Sequence, residues 1–196
     1  MVSSKALPIL LLLTPALRAE NTLIECIADA WYSPSNPKLE GSGQALKLSA
    51  SGGAVVLAFR TAAIEHWRVE KAVIVLHLAQ RSEPVEVSVS LTGAPWRESS
   101  AEPPPLRETS RTVEKVKPDG WISIPVPQAL VQALADGKAT GLALSLAGAN
   151  QIFDSRKTIQ YAPYLAVVGE VTKRPSAGTR RCFRLFHFSM MAAMYV

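Results

Sequence analysis

The stretch Pro84–Thr92, which reads PVEVSVSLT, decides the fold class, because apolar and polar residues alternate along it. Its three valines and Leu91 would share one face, while the glutamate, the serines and Thr92 would share the other. A period of two is the pattern of a β-strand with one side on a core and one side in water, whereas an amphipathic helix repeats apolar residues every three or four positions. We therefore predict a strand with one solvated face.

Other parts of the chain follow the same period. Leu142–Leu146 and Leu46–Leu48 alternate in the same way, and Val69–Ala79 is apolar on both faces, as expected of a central strand that is covered on both sides. Gly52-Gly53, between Leu48 and the apolar run Ala54–Phe59, predicts a β-hairpin. We therefore expect antiparallel sheets whose strands pair mostly with neighbours along the chain.

Helical signals are confined to a small part of the sequence. Pro127–Gly137 has a proline suited to a first turn, apolar residues at helical spacing and a glycine suited to a C-terminal cap, and Thr61–Trp67 could form a shorter turn. The proline-rich stretch Ala94–Asp119 predicts an exposed loop with one edge strand. About nine short strands and one helix predict an all-β fold, an antiparallel β-sandwich of jelly-roll type with one short helix, over residues 20–171.

The first nineteen residues resemble a secretory signal peptide. Lys5 precedes a short apolar run, which is followed by Pro15 and by Leu17-Arg18-Ala19, and we expect cleavage after Ala19. The run is too short to cross a bilayer, which needs roughly 20 apolar residues, so we predict a secreted or cell-surface protein with no membrane span. A lipoprotein signal at Cys26 is a weaker alternative, because Glu25 occupies the position where that signal needs a small residue.

The charge is unevenly distributed along the chain. The formal net charge is +5, but between residues 20 and 171 there are 14 basic side chains and 16 acidic ones. The excess of positive charge lies largely in residues 172–196, for which we predict a basic, disordered tail, with an amphipathic membrane anchor as the alternative. A nucleic-acid-binding domain needs a clustered positive surface on the fold itself, so we predict no nucleic-acid partner.

The sequence predicts no cofactor. No cysteine or histidine spacing typical of a zinc site occurs, and a structural calcium ion is left as an open alternative. Cys26 and Cys182 could form a disulfide in an oxidising compartment, although one opens the domain and the other lies in the predicted tail. The pairing is left open, and we expect a monomer.

Several stretches, in this order along the chain, resemble the strands and the short helix of the DNRLRE domains, a family of secreted carbohydrate-binding-like modules. They are Ile27–Tyr32, Leu46–Leu48, Val55–Phe59, Val69–Leu76, Gly120–Val126 with the helix after it, and Phe153–Arg156 with Pro163–Val167. The resemblance covers roughly Leu23 to Glu170. It implies a secreted β-sandwich that binds a polysaccharide, including acidic ones such as alginate, without cleaving it.

Two short segments supply the candidate ligand-binding residues. Trp96 and Arg97 lie beside the longest loop, and Arg156 and Lys157 lie at a turn between two late strands. Aromatic rings pack on apolar faces, including those of sugars, and arginine or lysine binds carboxylates such as those of uronic acids. Alternative interpretations are that Trp96 closes the end of the core and that Arg156 forms a structural pair with Asp154.

The sequence favours a binding protein over an enzyme. It has no Gly-x-Ser-x-Gly, no phosphate-binding glycine loop and no His-Glu-x-x-His. We interpret His77 as a packed or edge-strand residue and the glutamates near the long loop, including Glu98, as a solvated face. The function predicted first is thus polysaccharide binding, and the alternatives are a structural or adhesive spacer and, third, a polysaccharide-degrading enzyme.

Overall fold

The computed structural model confirms the predicted all-β class. It describes residues 19–79, 85–114, 120–147 and 150–172. The predicted signal peptide and tail lie outside these ranges, apart from Ala19 and Thr172, and so does Cys182. The described residues form antiparallel strands with one short α-helix and two single-turn 3₁₀ helices.

The strands, in chain order, are β1 (Glu20–Ser33), β2 (Asn36–Glu40), β3 (Ala45–Leu48), β4 (Ala54–Phe59), β5 (Trp67–Leu78), β6 (Val85–Thr92), β7 (Leu106–Glu114), β8 (Gly120–Val126), β9 (Leu142–Ala147), β10 (Gln151–Asp154) and β11 (Tyr164–Val171). The helix α1 is Gln128–Ala135, and the 3₁₀ helices are Thr61–Ala63 and Ile159–Tyr161. The helix thus lies within the predicted Pro127–Gly137 segment, and the shorter turn also forms where the sequence predicts it.

The strands form two layers joined by β1. The first layer pairs β11 with β1 and β5, β8 with β5, and β10 with β3 and β5. The second layer pairs β4 with β1 and β9, β6 with β7 and β9, and β2 with β1. Residues Glu20–Glu25 of β1 belong to the first layer and Cys26–Tyr32 to the second, with an irregular register between Cys26 and Ala28. Such an irregularity bends a strand, which allows β1 to pass from one layer to the other.

One hydrophobic core lies between the layers. Ile74 and Leu165 come from the first layer, Leu57 and Leu144 come from the second, and all four are fully buried in one continuous cluster. Full burial of such a side chain contributes about 1.5–3 kcal/mol relative to leaving it exposed. Because both layers bury their inner faces in the same cluster, the fold is a β-sandwich, as the alternating sequence pattern predicts.

The predicted hairpin at Gly52-Gly53 is wrong. The chain does reverse there, since the Gly52 N–H donates to the Ser49 carbonyl at 3.2 Å, and both glycines have positive φ angles of 116° and 93°. However, β3 pairs with β10 in the first layer and β4 pairs with β1 and β9 in the second. The turn therefore connects the two layers rather than two neighbouring strands.

The expectation of mostly local strand pairing is wrong as well. The hairpin of β6 and β7 is local, but β1 pairs with β11 at the other end of the described chain, and β5 pairs with β8 and β11. β5 is a central strand, as predicted, because it has partners along both edges. Its outer face is only partly covered, since Val73 and His77 are half-buried. Both layers are thus closed by contacts between residues far apart in the sequence.

The outer face of β6 is more buried than its alternating sequence predicts. Val87, Val89 and Leu91 are buried as expected, but Ser90 and Thr92 on the other face are buried too. Their hydroxyl groups form hydrogen bonds of 2.8 Å with Thr109 and 2.9 Å with Thr140. Polar side chains can be buried at little cost when they are paired in this way.

Candidate functional site

The structure brings the four candidate residues to one end of the sandwich. Trp96 and Arg97 lie in the loop between β6 and β7, and Arg156 and Lys157 lie in the turn after β10. Glu98 joins the two segments. Its Oε1 accepts hydrogen bonds from Arg156 Nε at 2.8 Å and Nη2 at 2.6 Å, and its Oε2 accepts one from Lys157 Nζ at 2.9 Å.

Glu98 is therefore not part of a solvated face, and that interpretation is wrong. Its side chain is only 22% exposed, and its carboxylate also accepts a hydrogen bond from the backbone N–H of Asp29 at 3.1 Å. From the sequence alone, a glutamate in a loop is expected to face water, because the neighbouring residues in the sequence do not reveal any partner for it. Here the partners come from β1 and from a turn about 60 residues away in sequence.

Asp29 lies beneath this junction and is completely buried. Its carboxylate accepts hydrogen bonds from the backbone N–H of Arg156 at 2.6 Å and from the Ser155 hydroxyl at 3.1 Å, and Arg156 Nε lies 3.7 Å away. We call Asp29, Glu98, Ser155, Arg156 and Lys157 the Glu98 network. A buried carboxylate is tolerated only when it is hydrogen-bonded and paired in this way.

The structural partner predicted for Arg156 is wrong. Asp154 turns to the outer face of the first layer and pairs with His77, whereas Arg156 pairs with Glu98 and Asp29. The chain turns after β10, so residues two positions apart face different parts of the molecule. The prediction that Arg156 has a structural role in an ion pair nevertheless agrees with its position in the network.

Burial and pairing shift the pKa values of the network in opposite directions. Burial raises the pKa of Asp29, although the Arg156 N–H and the Ser155 hydroxyl donate to it and oppose the shift. Partial burial would also raise the pKa of Glu98, but the hydrogen bonds from Lys157, Arg156 and the Asp29 N–H outweigh it and lower that pKa. Glu98 is consequently an ionised acceptor at neutral pH, and both of its oxygens are engaged.

A groove of about 660 Å³ lies beside the network, and we call it the Trp96 groove. Trp96, Arg97 and Lys157 line it, together with Lys38 and Glu40. Lys38 and Arg97 are exposed, and neither forms an ion pair with any residue that the structure describes. Since Arg156 lies in the network and does not line the groove, three of the four candidate residues face a common space.

Trp96 has two roles in this arrangement. One part of its ring packs against the small buried cluster of Ala30, Leu39 and Val56, which agrees with the alternative that it closes the end of the core. Another part lines the groove. Its indole nitrogen is covered and has no acceptor among the described residues, so the N–H is not exposed in the groove.

Gly41 allows the loop to approach β1 closely. A Cβ atom at this position would lie 2.4 Å from the Glu98 Cβ and 3.0 Å from the Asp29 carbonyl oxygen. The Gly41 carbonyl also accepts a hydrogen bond from Lys157 Nζ. Glycine is therefore required at this position for the Glu98 loop to dock.

A second group of side chains, which sequence reasoning missed as a site, lies on the outer face of the first layer. It consists of His77, Trp121, Asp154, Tyr161 and Tyr164, and we call it the aromatic platform. The His77 ring stacks on Tyr161 with centroids 3.9 Å apart and meets Trp121 edge-on at 5.3 Å. The ring centroids of Trp121 and Tyr164 lie 5.8 Å apart, and Trp121 is 43% exposed.

Strand register assembles the platform. His77 of β5 lies opposite Trp121 of β8, and Phe153 lies opposite Leu78, which places Asp154 beside His77 on the other side. Tyr161 belongs to the 3₁₀ helix that precedes β11, and β11 begins three residues later, at Tyr164. The alternation of β5 and β8 could have indicated that His77 and Trp121 face outward, but not that they are neighbours.

The described residues give little support to catalytic chemistry. His77 Nδ1 lies 2.7 Å from Asp154 Oδ2, as in the base and orienting acid of a hydrolase, but no serine or cysteine of the described chain bonds to that imidazole. Three or more histidine, cysteine or acidic side chains arranged to hold a metal ion do not occur within the described ranges. Of the residues described, none forms a helix long and apolar enough to cross a membrane.

Cys26 is a buried thiol in the described structure. It is 3% exposed and its sulfur donates to the Ala28 carbonyl at 3.3 Å. Burial raises the pKa of this thiol, so it is not a reactive nucleophile. The pairing with Cys182 stays open, because Cys182 lies outside the described residues.

In comparisons with known proteins, no protein-family model and no curated protein sequence matches this chain.

Proposed function

We propose that this protein is an exported, non-catalytic domain that binds an acidic polysaccharide in the Trp96 groove. The observation that carries the proposal is the lining of that groove, which combines Trp96 with two exposed cations, Lys38 and Arg97, that form no ion pair with a described residue. The two carboxylates that also line it are already engaged, Glu40 by Asn36 and Glu98 by Arg156 and Lys157. The resemblance to DNRLRE domains and to a signal peptide supports the same conclusion, since both predict a secreted carbohydrate-binding protein.

The chemistry of the groove suits a uronic-acid chain. The Arg97 guanidinium can bind a carboxylate through two parallel hydrogen bonds, and Lys38 can contribute a second, less directional charge. Trp96 supplies an apolar face against which the C–H groups of a sugar ring pack. Lys157 contributes less, because its ammonium group is already bound to Glu98 and to the Gly41 carbonyl.

The acidic residues near the groove favour binding over cleavage. Glycoside hydrolysis needs a general acid whose pKa is raised and which can reach the glycosidic oxygen. The pKa of Glu98 is lowered, and the pKa of Asp29 is raised but its side chain is completely buried. Glu98 and Asp29 are therefore unsuited to protonate a substrate in the groove. Glu40, the other acidic residue of the lining, accepts a hydrogen bond from Asn36 Nδ2 at 3.0 Å, so the polysaccharide-degrading alternative is the weakest of the three.

A structural or adhesive spacer is the second candidate. It is favoured by the Glu98 network, in which two of the four predicted ligand-binding residues, Arg156 and Lys157, are engaged in holding the fold together. A spacer would need these contacts and would need no ligand. A binding measurement separates the two candidates.

The decisive experiment is affinity electrophoresis of the purified protein in gels that contain alginate or polygalacturonate, compared with gels that contain uncharged polysaccharide. We expect retention in the acidic gels, weakened by salt and about tenfold by Arg97→Ala, because a charge-assisted contact is worth roughly 1.5 kcal/mol. Lys71→Ala is the matched control, since Lys71 is an exposed cation of β5 that does not line the groove. No retention in either acidic gel, or an equal effect of Lys71→Ala, would contradict the proposal.

A further inference from the structure

The aromatic platform is a preorganised surface whose five members come from five elements. His77 is fixed on one face by Tyr161, on an edge by Trp121, and through Nδ1 by Asp154. The His77 and Asp154 side chains are only 19% and 17% exposed, so the pair forms a floor. Tyr161 lies parallel to the His77 ring and covers one of its faces, and Trp121 meets Tyr161 at 6.2 Å with an angle of 63° between the rings.

The platform combines apolar ring faces with polar groups at its edges. The hydroxyl groups of Tyr161 and Tyr164 have no hydrogen-bond partner among the described residues, and Asp154 contributes a carboxylate. A purely hydrophobic contact surface would have no use for these groups. A sugar ring presents a C–H face and a rim of hydroxyl groups, which match aromatic faces and polar edges together.

The charge of the platform indicates which sugars fit it. Its members include no lysine or arginine, and its anion, Asp154, is directed toward His77. The nearest cations along the chain, Arg156 and Lys157, are turned away to Glu98. Among the described residues, a uronate carboxylate would therefore find no lysine or arginine in the platform and would meet the carboxylate of Asp154.

We infer that the aromatic platform is a second binding site, which holds a pyranose ring of an uncharged glycan chain against the exposed ring of Trp121, beside Tyr161 and Tyr164. The inference rests on the proposed function in supposing that the ligand is a glycan, but it concerns different residues, a different face of the molecule and a different sugar chemistry. Binding here depends on ring contact and hydroxyl hydrogen bonds, so it is insensitive to salt.

The test is titration of the full chain with uncharged hexasaccharides of glucose, mannose and xylose, followed by calorimetry and tryptophan fluorescence at low and high ionic strength. We expect at least one of them to bind, with the same affinity at both ionic strengths, and Trp121→Ala to weaken that binding about tenfold or more. Tyr161→Ala, which alters a residue outside the strands, provides a second variant if Trp121→Ala reduces folding. Both variants are checked by thermal unfolding.

Matched controls separate this site from the Trp96 groove. Leu106→Ala removes an exposed apolar side chain, 39% exposed, from β7 in the other layer and should leave uncharged-sugar binding unchanged. Arg97→Ala should leave it unchanged as well, while it weakens acidic-glycan binding. If acidic glycans fail to bind but Trp121-dependent binding of an uncharged chain persists, the proposed groove is wrong and the platform stands.

Two outcomes would overturn the inference. One is the absence of binding by every uncharged hexasaccharide, and the other is binding that Trp121→Ala and Tyr161→Ala leave unchanged. Concentration-dependent self-association that Trp121→Ala abolishes, in the absence of sugar binding, would assign the platform to contact with a second copy of the chain instead.

Discussion

The Trp96 groove and the aromatic platform hold their side chains in place by different means. The groove is made by a loop and a turn that dock through the Glu98 network, so charged groups are used to position other charged groups. The platform is made by neighbouring strands, whose register alone places His77 beside Trp121 and Asp154. In the groove, Lys157 is engaged by Glu98 and is therefore less available to a ligand. In the platform, strand register leaves Trp121 43% exposed.

This difference predicts which substitutions affect which surface. Changes in the Glu98 network should disturb the groove and leave the platform intact, since β5 and β8 are not part of it. Changes in the platform should cost little stability, because its side chains lie outside the core.

The largest effect is expected for Asp29→Ala. It removes the acceptor of the Arg156 N–H and the Ser155 hydroxyl and leaves the nearby guanidinium without its buried counter-charge. We expect a loss of about 3 kcal/mol in the free energy of unfolding, measured by urea denaturation, together with weaker binding of acidic glycan.

Asp29→Asn serves as the graded comparison. The asparagine retains one oxygen acceptor and the size of the side chain, and it also relieves the cost of a buried charge, so its loss should be distinctly smaller. Binding of an uncharged chain at the platform should survive both substitutions in the folded protein. Equal stability of the alanine variant and the original protein would show that the network does not support the fold.

An intermediate effect is expected for Gly41→Ala. The new Cβ atom would clash with Glu98, whose Cβ lies 2.4 Å away, and would displace the loop that carries Trp96 and Arg97. We expect a loss of about 2 kcal/mol in stability and the loss of groove binding, measured by urea denaturation and affinity electrophoresis. Gly43→Ala is the matched control, because a Cβ atom there would meet its nearest neighbours at 3.9 Å and should change neither quantity.

The sequence predicts the elements better than it predicts their assembly. The alternation in Pro84–Thr92 and in β5 and the caps of α1 are local signals, and each of them correctly predicts its element. The Gly52-Gly53 turn shows the limit, since two glycines permit a reversal of the chain but do not determine which layer the next strand joins. Layer membership depends on which hydrophobic faces close the core, and that is a property of the whole chain.

The same limit applies to the two surfaces. Trp96, Arg97, Arg156 and Lys157 can be proposed from residue chemistry, but the residue that joins them, Glu98, is indistinguishable in sequence from any other loop glutamate. His77 and Asp154 are 77 residues apart in sequence, and only the register of β5 and β10 makes them partners. Candidate side chains are thus predictable where one segment carries them, and unpredictable where several strands must meet.

The smallest effect on stability is expected for Asp154→Asn. The asparagine oxygen can still accept the His77 Nδ1–H at the present 2.7 Å separation, and the pair lies at the edge of the solvent, so the loss should be less than about 1 kcal/mol. If the carboxylate also binds a sugar hydroxyl, the same substitution should weaken uncharged-glycan binding several-fold, because a charge-assisted hydrogen bond becomes a neutral one. Calorimetry and urea denaturation of one preparation measure both quantities. A large loss of stability with unchanged sugar binding would mean that the His77–Asp154 pair supports the fold. The platform would then resemble the groove, in which charged side chains are engaged in structural contacts.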